Sequence, residues 1–210
     1  MLPSRLQEFK ERAITPEMLE AILDDHHLWL ETSGKDGQQA DFAGADLIGM
    51  DLSGMDLRRT NFSQANLIDA NLSGADLGGA RLSSAKLDSA NLSDANLYDA
   101  MLFDVNAAGA DFSNANLLMA MGSNANFQGA NFQGANLSRS HMLGADMSGA
   151  DLRGADLRGT VLWKVDLRGA QLDAPASELP IARGDPITEA RRRLVSRIRR
   201  LLFGALHGAR

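Results

Sequence analysis

The chain has 210 residues, 27 of them acidic and 21 basic, for a formal net charge of −6, and it contains no cysteine. That length suits one extended domain with short flanks rather than two globular ones. The missing thiols exclude a disulfide framework and a cysteine-based metal site, and no apolar run approaches the ~18 residues of a membrane span. The charge is uneven: residues 1–39 carry net −4, residues 40–174 net −7 and residues 175–210 net +5. An acidic middle followed by a basic tail bears on partners rather than on fold.

Residues 1–39 read as a helical lead-in. Thr15 can cap a helix, and Pro16 suits its first position. Leu19, Ile22 and Leu23 follow at helical spacing. The start, "MLPSRLQEFKER", lacks the apolar centre of a signal peptide, so a cytoplasmic location is expected. His26 and His27 are adjacent, and a helix points neighbours apart, which argues against a shared metal.

From Ala40 to Ala174 the chain repeats every five residues without a break, giving 135 residues or 27 units. The stretches "ANLSGADLGG" at 70–79, "ANLSDANLYDA" at 90–100 and "ADLRGTVLWKVDLRGA" at 155–170 show the unit. It runs Ala, Asp or Asn, Leu or Phe, then two small or polar residues. Five is neither the helical period nor that of a flat strand. A helix would scatter Leu72, Leu77, Leu82 and Leu87 around its axis, and a strand would send alternate leucines into water. The pattern demands a chain that turns a corner every five residues, with the central Leu and the Ala two places earlier facing one axis. Gly recurs at the fifth position (Gly44, Gly49, Gly54, Gly74, Gly79, Gly129, Gly134), where a tight turn calls for positive φ.

These units resemble those of the pentapeptide repeat proteins, over about two-thirds of the chain. The resemblance implies an all-β solenoid: a right-handed, quadrilateral β-helix with four units per coil and short helical flanks at either end. Coils stacked at about 4.8 Å would make a rod roughly 32 Å long. The stretch "HHLWLETSGKDGQQADFAGADL" at 26–47 resembles the lead-in of bacterial members, and Trp29 is expected to lid the open core of the first coil.

Sorting the units by fours assigns them to four sides. Three sides keep Asp or Asn before the centre almost throughout, as in the ladder Asp51, Asn71, Asn91, Asp111, Asn131 and Asp151. Stacked Asn side chains can bond from coil to coil. The fourth departs, with Asp41, Asn61, Arg81, Met101, Met121, His141 and Val161 at those positions. Its outward positions add Phe103, Leu143 and Trp163, and the adjoining corner adds Tyr98, Leu118 and Met119. An apolar patch is therefore expected over the third to fifth coils, thinning toward the last. Two centres are small, Ala107 and Gly122. Val105 can backfill beside Ala107, whereas Gly122 predicts a local core defect.

Residues 175–186 hold Pro175, Pro180, Gly184 and Pro186 and read as a linker. Residues 187–206 then predict an amphipathic helix within a basic C-terminal segment, 187–210. Ile187, Leu194, Val195, Ile198, Leu201, Leu202 and Leu206 fall on one stripe, with Arg192, Arg193, Arg197, Arg199 and Arg200 on the other side and Arg191 intruding on the apolar one.

No catalytic constellation, cofactor motif or metal site is found; the Asp residues recur with the repeat, and a non-enzyme is expected. The first functional reading is a binding scaffold that docks a partner protein through the apolar patch. Its docking residues would be Tyr98, Met101, Phe103, Leu118, Met119, Met121, Leu143 and Trp163. The helix stripe of Leu194, Ile198, Leu201 and Leu202 could cover the same patch, within one chain or across a homodimer. A second reading comes from the resemblance: some family members are dimeric duplex-DNA mimics that bind type II topoisomerases such as gyrase and protect them from inhibitors. Asp51, Asp111 and Asp151 would supply the acidic face. A duplex, however, carries about nineteen charges over a ~32 Å rod, against net −7 here. A third reading lays helix 187–206 on an anionic membrane surface. Direct nucleic-acid binding is disfavoured by the acidic rod.

Overall fold

The computed structural model describes residues 14–173. Within them one helix, α1 (Pro16–Glu31), precedes the repeats. Thr15 caps it, its side chain accepting from the Met18 amide at 3.3 Å. Pro stands in the first turn, where a missing N–H costs nothing. The predicted linker and C-terminal helix lie outside the described residues.

Every fifth residue from Asp41 to Asp151 is bridged in parallel to the residue twenty places further on. Twenty residues therefore close one coil, and the repeats form a β-helical solenoid. Each side contributes a single bridged residue rather than an extended strand, because the next corner arrives within five residues. Coil 1 is taken here as residues 40–59, coil 2 as 60–79, and so on to coil 7, which begins at 160. Backbone bonds run both ways between coils: Leu72 N donates to Asn91 O at 2.7 Å, and Asn91 N donates to Ala70 O at 2.9 Å.

The inward and outward positions fall as the pattern requires. Central residues such as Leu72, Leu77, Leu92 and Phe112 are fully buried, as are the Ala residues two places before them. Every corner from 44 to 169 has positive φ, yet glycine occupies only half of them. Asp, Asn and Ser fill most of the rest, and Asp and Asn tolerate the left-handed region better than other side chains. Arg59, Gln64, Met119, Arg139 and Lys164 are the remaining occupants.

At most units the Asp or Asn before the centre holds its own corner; Asn66, whose Oδ1 is buried without a partner, is an exception. Where the corner is held so, Oδ1 accepts the amide two residues on, as Asp111 does from Ser113 at 2.9 Å. The same oxygen takes an Asn Nδ2 from the next coil, as Asp76 Oδ1 does from Asn96 at 2.8 Å. On the departing side, Met101 and Met121 bring no such acceptor, so core packing and bridges hold those corners.

The core defect expected at Gly122 is absent. A Cβ there would lie 2.6 Å from Met142 Sδ and 3.3 Å from Phe127 Cε2. Met142, one coil further on, fills the space that a side chain at 122 would take. Ala107 is likewise compensated. Val105 is buried beside it, and Phe127, one coil on, packs edge-on against Phe112 and Phe132.

The open N-terminal end is closed by α1. Ile14 and Leu19 are buried against the core, with Met18, Ile22 and Leu23 partly so. His26 is the polar anchor of this cap. It is fully buried; Ala40 N donates to its Nδ1 at 3.1 Å, and its Nε2 lies 3.0 Å from Arg58 O. Trp29 is half-buried and stacks on His26, with ring centroids 5.7 Å apart.

Candidate interaction surface

On the departing side, Arg81, Met101, Met121, His141 and Val161 form one unbroken column of parallel bridges. Its large apolar residues cannot turn inward, because the central positions already fill the core. They therefore lie along the rod. Leu143 stands beside the column, 42% exposed, and Phe103 and Trp163 are half-buried in the same outward row. Around the corner, Tyr98 is 43% and Met119 42% exposed, with Leu118 half-buried between them. The sequence-predicted docking residues thus lie on one side of the rod and its adjoining corner, from coil 3 to coil 7. Met119 occupies a left-handed corner with φ 64. That conformation is costly for a side chain that makes no local hydrogen bond.

The rows beside this strip carry acids. Asp99 stands at the corner before the departing side and Asp104 at the corner after it, both exposed. Ile48, 53% exposed, and Ile68 break the small-residue rule on a different side, where the sequence reading singled out nothing.

One cavity was also missed. It is a groove of about 430 Å³ that runs down the corner from α1 over three coils. Trp29 and Leu30 form its upper wall, Arg58 and Arg59 one flank, and Tyr98 and Asp99 the other. Gly78–Gly79 lie between the flanks, and Ser33, Asp76 and Asn96 complete a largely polar lining. At the same register other coils place Arg58–Arg59, Tyr98–Asp99 and Leu118–Met119. Two consecutive glycines at outward positions were the signal. Tyr98 belongs to both groove and strip.

The proposed acidic face is largely spent on the fold. Asp51 accepts from Ser53 N and Asn71 Nδ2, each at 3.1 Å, and the bonds from Ser53 lower its carboxyl below the usual range. Asp111 accepts from Ser113 and Asn131, each at 2.9 Å. Asp151 pairs with Arg153 and also accepts from Gln133; the guanidinium holds it far below the carboxylate range. Asp56, Asp156 and Asp166 are paired in the same way with Arg58, Arg158 and Arg168. Coil 5, residues 120–139, has no acid at all. The rod does not present an even ribbon of charge.

Leu194, Ile198, Leu201 and Leu202 lie outside the described residues, so the structure neither joins them to the strip nor separates them from it. Among the described residues, no three His, Asp or Glu side chains gather as a metal site, and no helix is long and apolar enough to cross a membrane.

The family model described as pentapeptide repeats matches in eight copies, in segments that run from residue 40 to 174. No curated protein sequence matches. Among solved structures, HetL from the cyanobacterium Nostoc, involved in heterocyst differentiation regulation, is 33% identical with a TM-score of 0.41. That match covers 63% of this chain and 66% of HetL, just under two thirds of its length. A trypsin-treated variant of QnrB1, a plasmid-mediated fluoroquinolone resistance protein, is 19% identical over 64% of this chain and 80% of that one, with a TM-score of 0.46. Rfr23 from the cyanobacterium Cyanothece is 26% identical over 72% and 95%, with a TM-score of 0.36.

Proposed function

Because the chain belongs to the pentapeptide repeat family, whose model covers residues 40–174, we propose that it is a non-catalytic scaffold that docks a partner protein on its apolar strip. The observation that carries this reading is the replacement of the Asp/Asn ladder on one side only. Met101 and Met121 give up corner hydrogen bonds that other sides keep, and, half-buried, they line an apolar surface with Phe103, Leu143 and Trp163 that Ser123 and His141 interrupt. Contiguous apolar surface rimmed by polar residues marks interaction sites. Methionines suit such a surface, because a flexible thioether adapts to the shape of what it meets. We take the coil as right-handed, the hand the family implies, and place the protein in the cytoplasm. The duplex-mimic reading ranks second, since Asp51, Asp111 and Asp151 are each engaged within the rod.

The test is capture of partner proteins from the native host by the full chain and by Phe103→Asp and Leu143→Asp. Both variants leave the core and corners untouched, so their melting should match the parent. Loss of one specific partner in both variants is the expected result. Undiminished capture would remove the strip from the function.

A further inference from the structure

Resting on the docking reading above, we propose that the protein met by the strip is a second copy of this chain. The two rods lie side by side and antiparallel, about a twofold axis that passes between Met121 and His141.

A surface that meets its own copy has to be complementary to itself. In an antiparallel pair, each outward row meets the same row of the other rod in reverse order. With the axis placed as above, coil 4 faces coil 7 and coil 5 faces coil 6. Met101 then meets the second copy's Val161, and Phe103 meets its Trp163. The two residues that interrupt the apolar strip are covered by large side chains: Ser123 by Leu143 of the other copy, and His141 by Met121. The bumps of one rod thus fill the gaps of the other. The rows start at different heights in the coil, yet at ~4.8 Å per twenty residues every pair meets within about 1.5 Å of one level.

Charge agrees with this register. At the corner after the column, exposed Asp104 falls opposite exposed Lys164, once at each end of the pair. At the corner before it, Tyr98 falls opposite Arg158, whose side chain is almost wholly exposed; an aromatic face attracts a guanidinium. A parallel pair would instead bring the Asp99 corner of each rod against the Asp104 corner of the other, two like-charged contacts. An antiparallel register one coil nearer α1 would gain Asp99 opposite Arg139. It would, however, set Val161 and Trp163 against Arg81 and Ser83 and leave Ser123 facing itself. One coil the other way would leave Met101 and Phe103 uncovered by the described rod. The strip supplies fewer residues than the ~20–30 a side of a standard interface, so the pair should exchange rather than lock.

Sedimentation equilibrium of the full-length protein tests the pairing, and charge reversal tests its register. The parent should dimerise reversibly, and Phe103→Asp should abolish the dimer without changing the melt. Asp104→Lys and Lys164→Asp should each weaken the dimer about tenfold, since each reverses two ion pairs, and the two together should restore it. Positions 104 and 164 are three coils apart within one rod, about 14 Å, so restoration reports a contact between copies. The chain has no cysteine, so Asp104→Cys with Lys164→Cys should oxidise to a covalent dimer, and neither change alone should do so. A parent that stays monomeric at about a hundredfold above the micromolar range, or a dimer indifferent to Phe103→Asp and to both reversals, would overturn the inference. If the parent is monomeric while Phe103→Asp and Leu143→Asp still lose a different host protein, this inference fails and the docking reading stands. If those two variants change neither the dimer nor the capture, both readings fail.

Discussion

Gly122 and Met142 offer the sharpest test of how the core is filled. Gly122 takes a central position that is Leu or Phe in most units, and Met142 Sδ lies 2.6 Å from where its Cβ would stand. Introducing Gly122→Leu alone forces four carbons into space already occupied, an overpacking that costs about 1–3 kcal/mol or somewhat more. Met142→Ala alone removes three buried heavy atoms and leaves a cavity beside a bare glycine, at about 2–5 kcal/mol. Combined, the two changes nearly conserve volume, because the new leucine fills what the methionine vacates. The double variant should therefore cost less than about 2 kcal/mol, with a favourable coupling of about 2–4 kcal/mol. Urea denaturation of the four proteins of the cycle, followed by circular dichroism, measures this directly. Additive costs would refute the reasoning, since they would mean that Met142 does not fill the place of the missing side chain.

Other expectations follow from single positions. Leu92→Asp buries an unpaired charge in the axis and should abolish the cooperative melt, whereas Asp76→Ser on the outer ladder should cost at most about 1 kcal/mol; similar thermal shifts would reverse the assignment of inside and outside. Met119→Gly relieves a left-handed φ and should stabilise the rod by about 1 kcal/mol while weakening partner capture, so a destabilised variant would count against strain at that corner. His26 is held neutral by burial, with its pKa lowered from the ordinary 6.5. The unfolded chain therefore binds the proton more readily, so the cap's contribution is full above about pH 6.5 and is lost as pH falls through the lower folded value. The melting temperature should decline over that acid range in the parent and in His27→Ala, and lose that part of the decline in His26→Gln; a pH-insensitive parent would contradict it.

The repeat was legible because each unit carries its own instructions. The alternation of Leu72 and Ala75 inward with Asn71 and Asp76 outward needs no knowledge of distant residues. The apolar strip was legible for the same reason, once every fourth unit was aligned. What escaped depends on contacts between coils or with the cap. The compensation at Gly122 comes from Met142, twenty residues away, and only the stacking register brings them together. His26 looked like one of two ordinary helix histidines; its role depends on Ala40 and Arg58 meeting it across the first coil. Glycine was an incomplete signal for the corners, because Arg59, Met119 and Lys164 adopt the same φ under the pull of the bonded coils on either side. The groove required α1 to overhang Gly78–Gly79, a placement that local pattern does not encode.

The central claim is that one strip of this rod meets a protein. A photoreactive side chain placed singly at Met101, Leu118 or Leu143, and at Ser73 or Asn114 on another side, would test it in living host cells. One partner should cross-link from the three strip positions and from neither control. Cross-links of equal strength from both sides, or none from the strip, would contradict it.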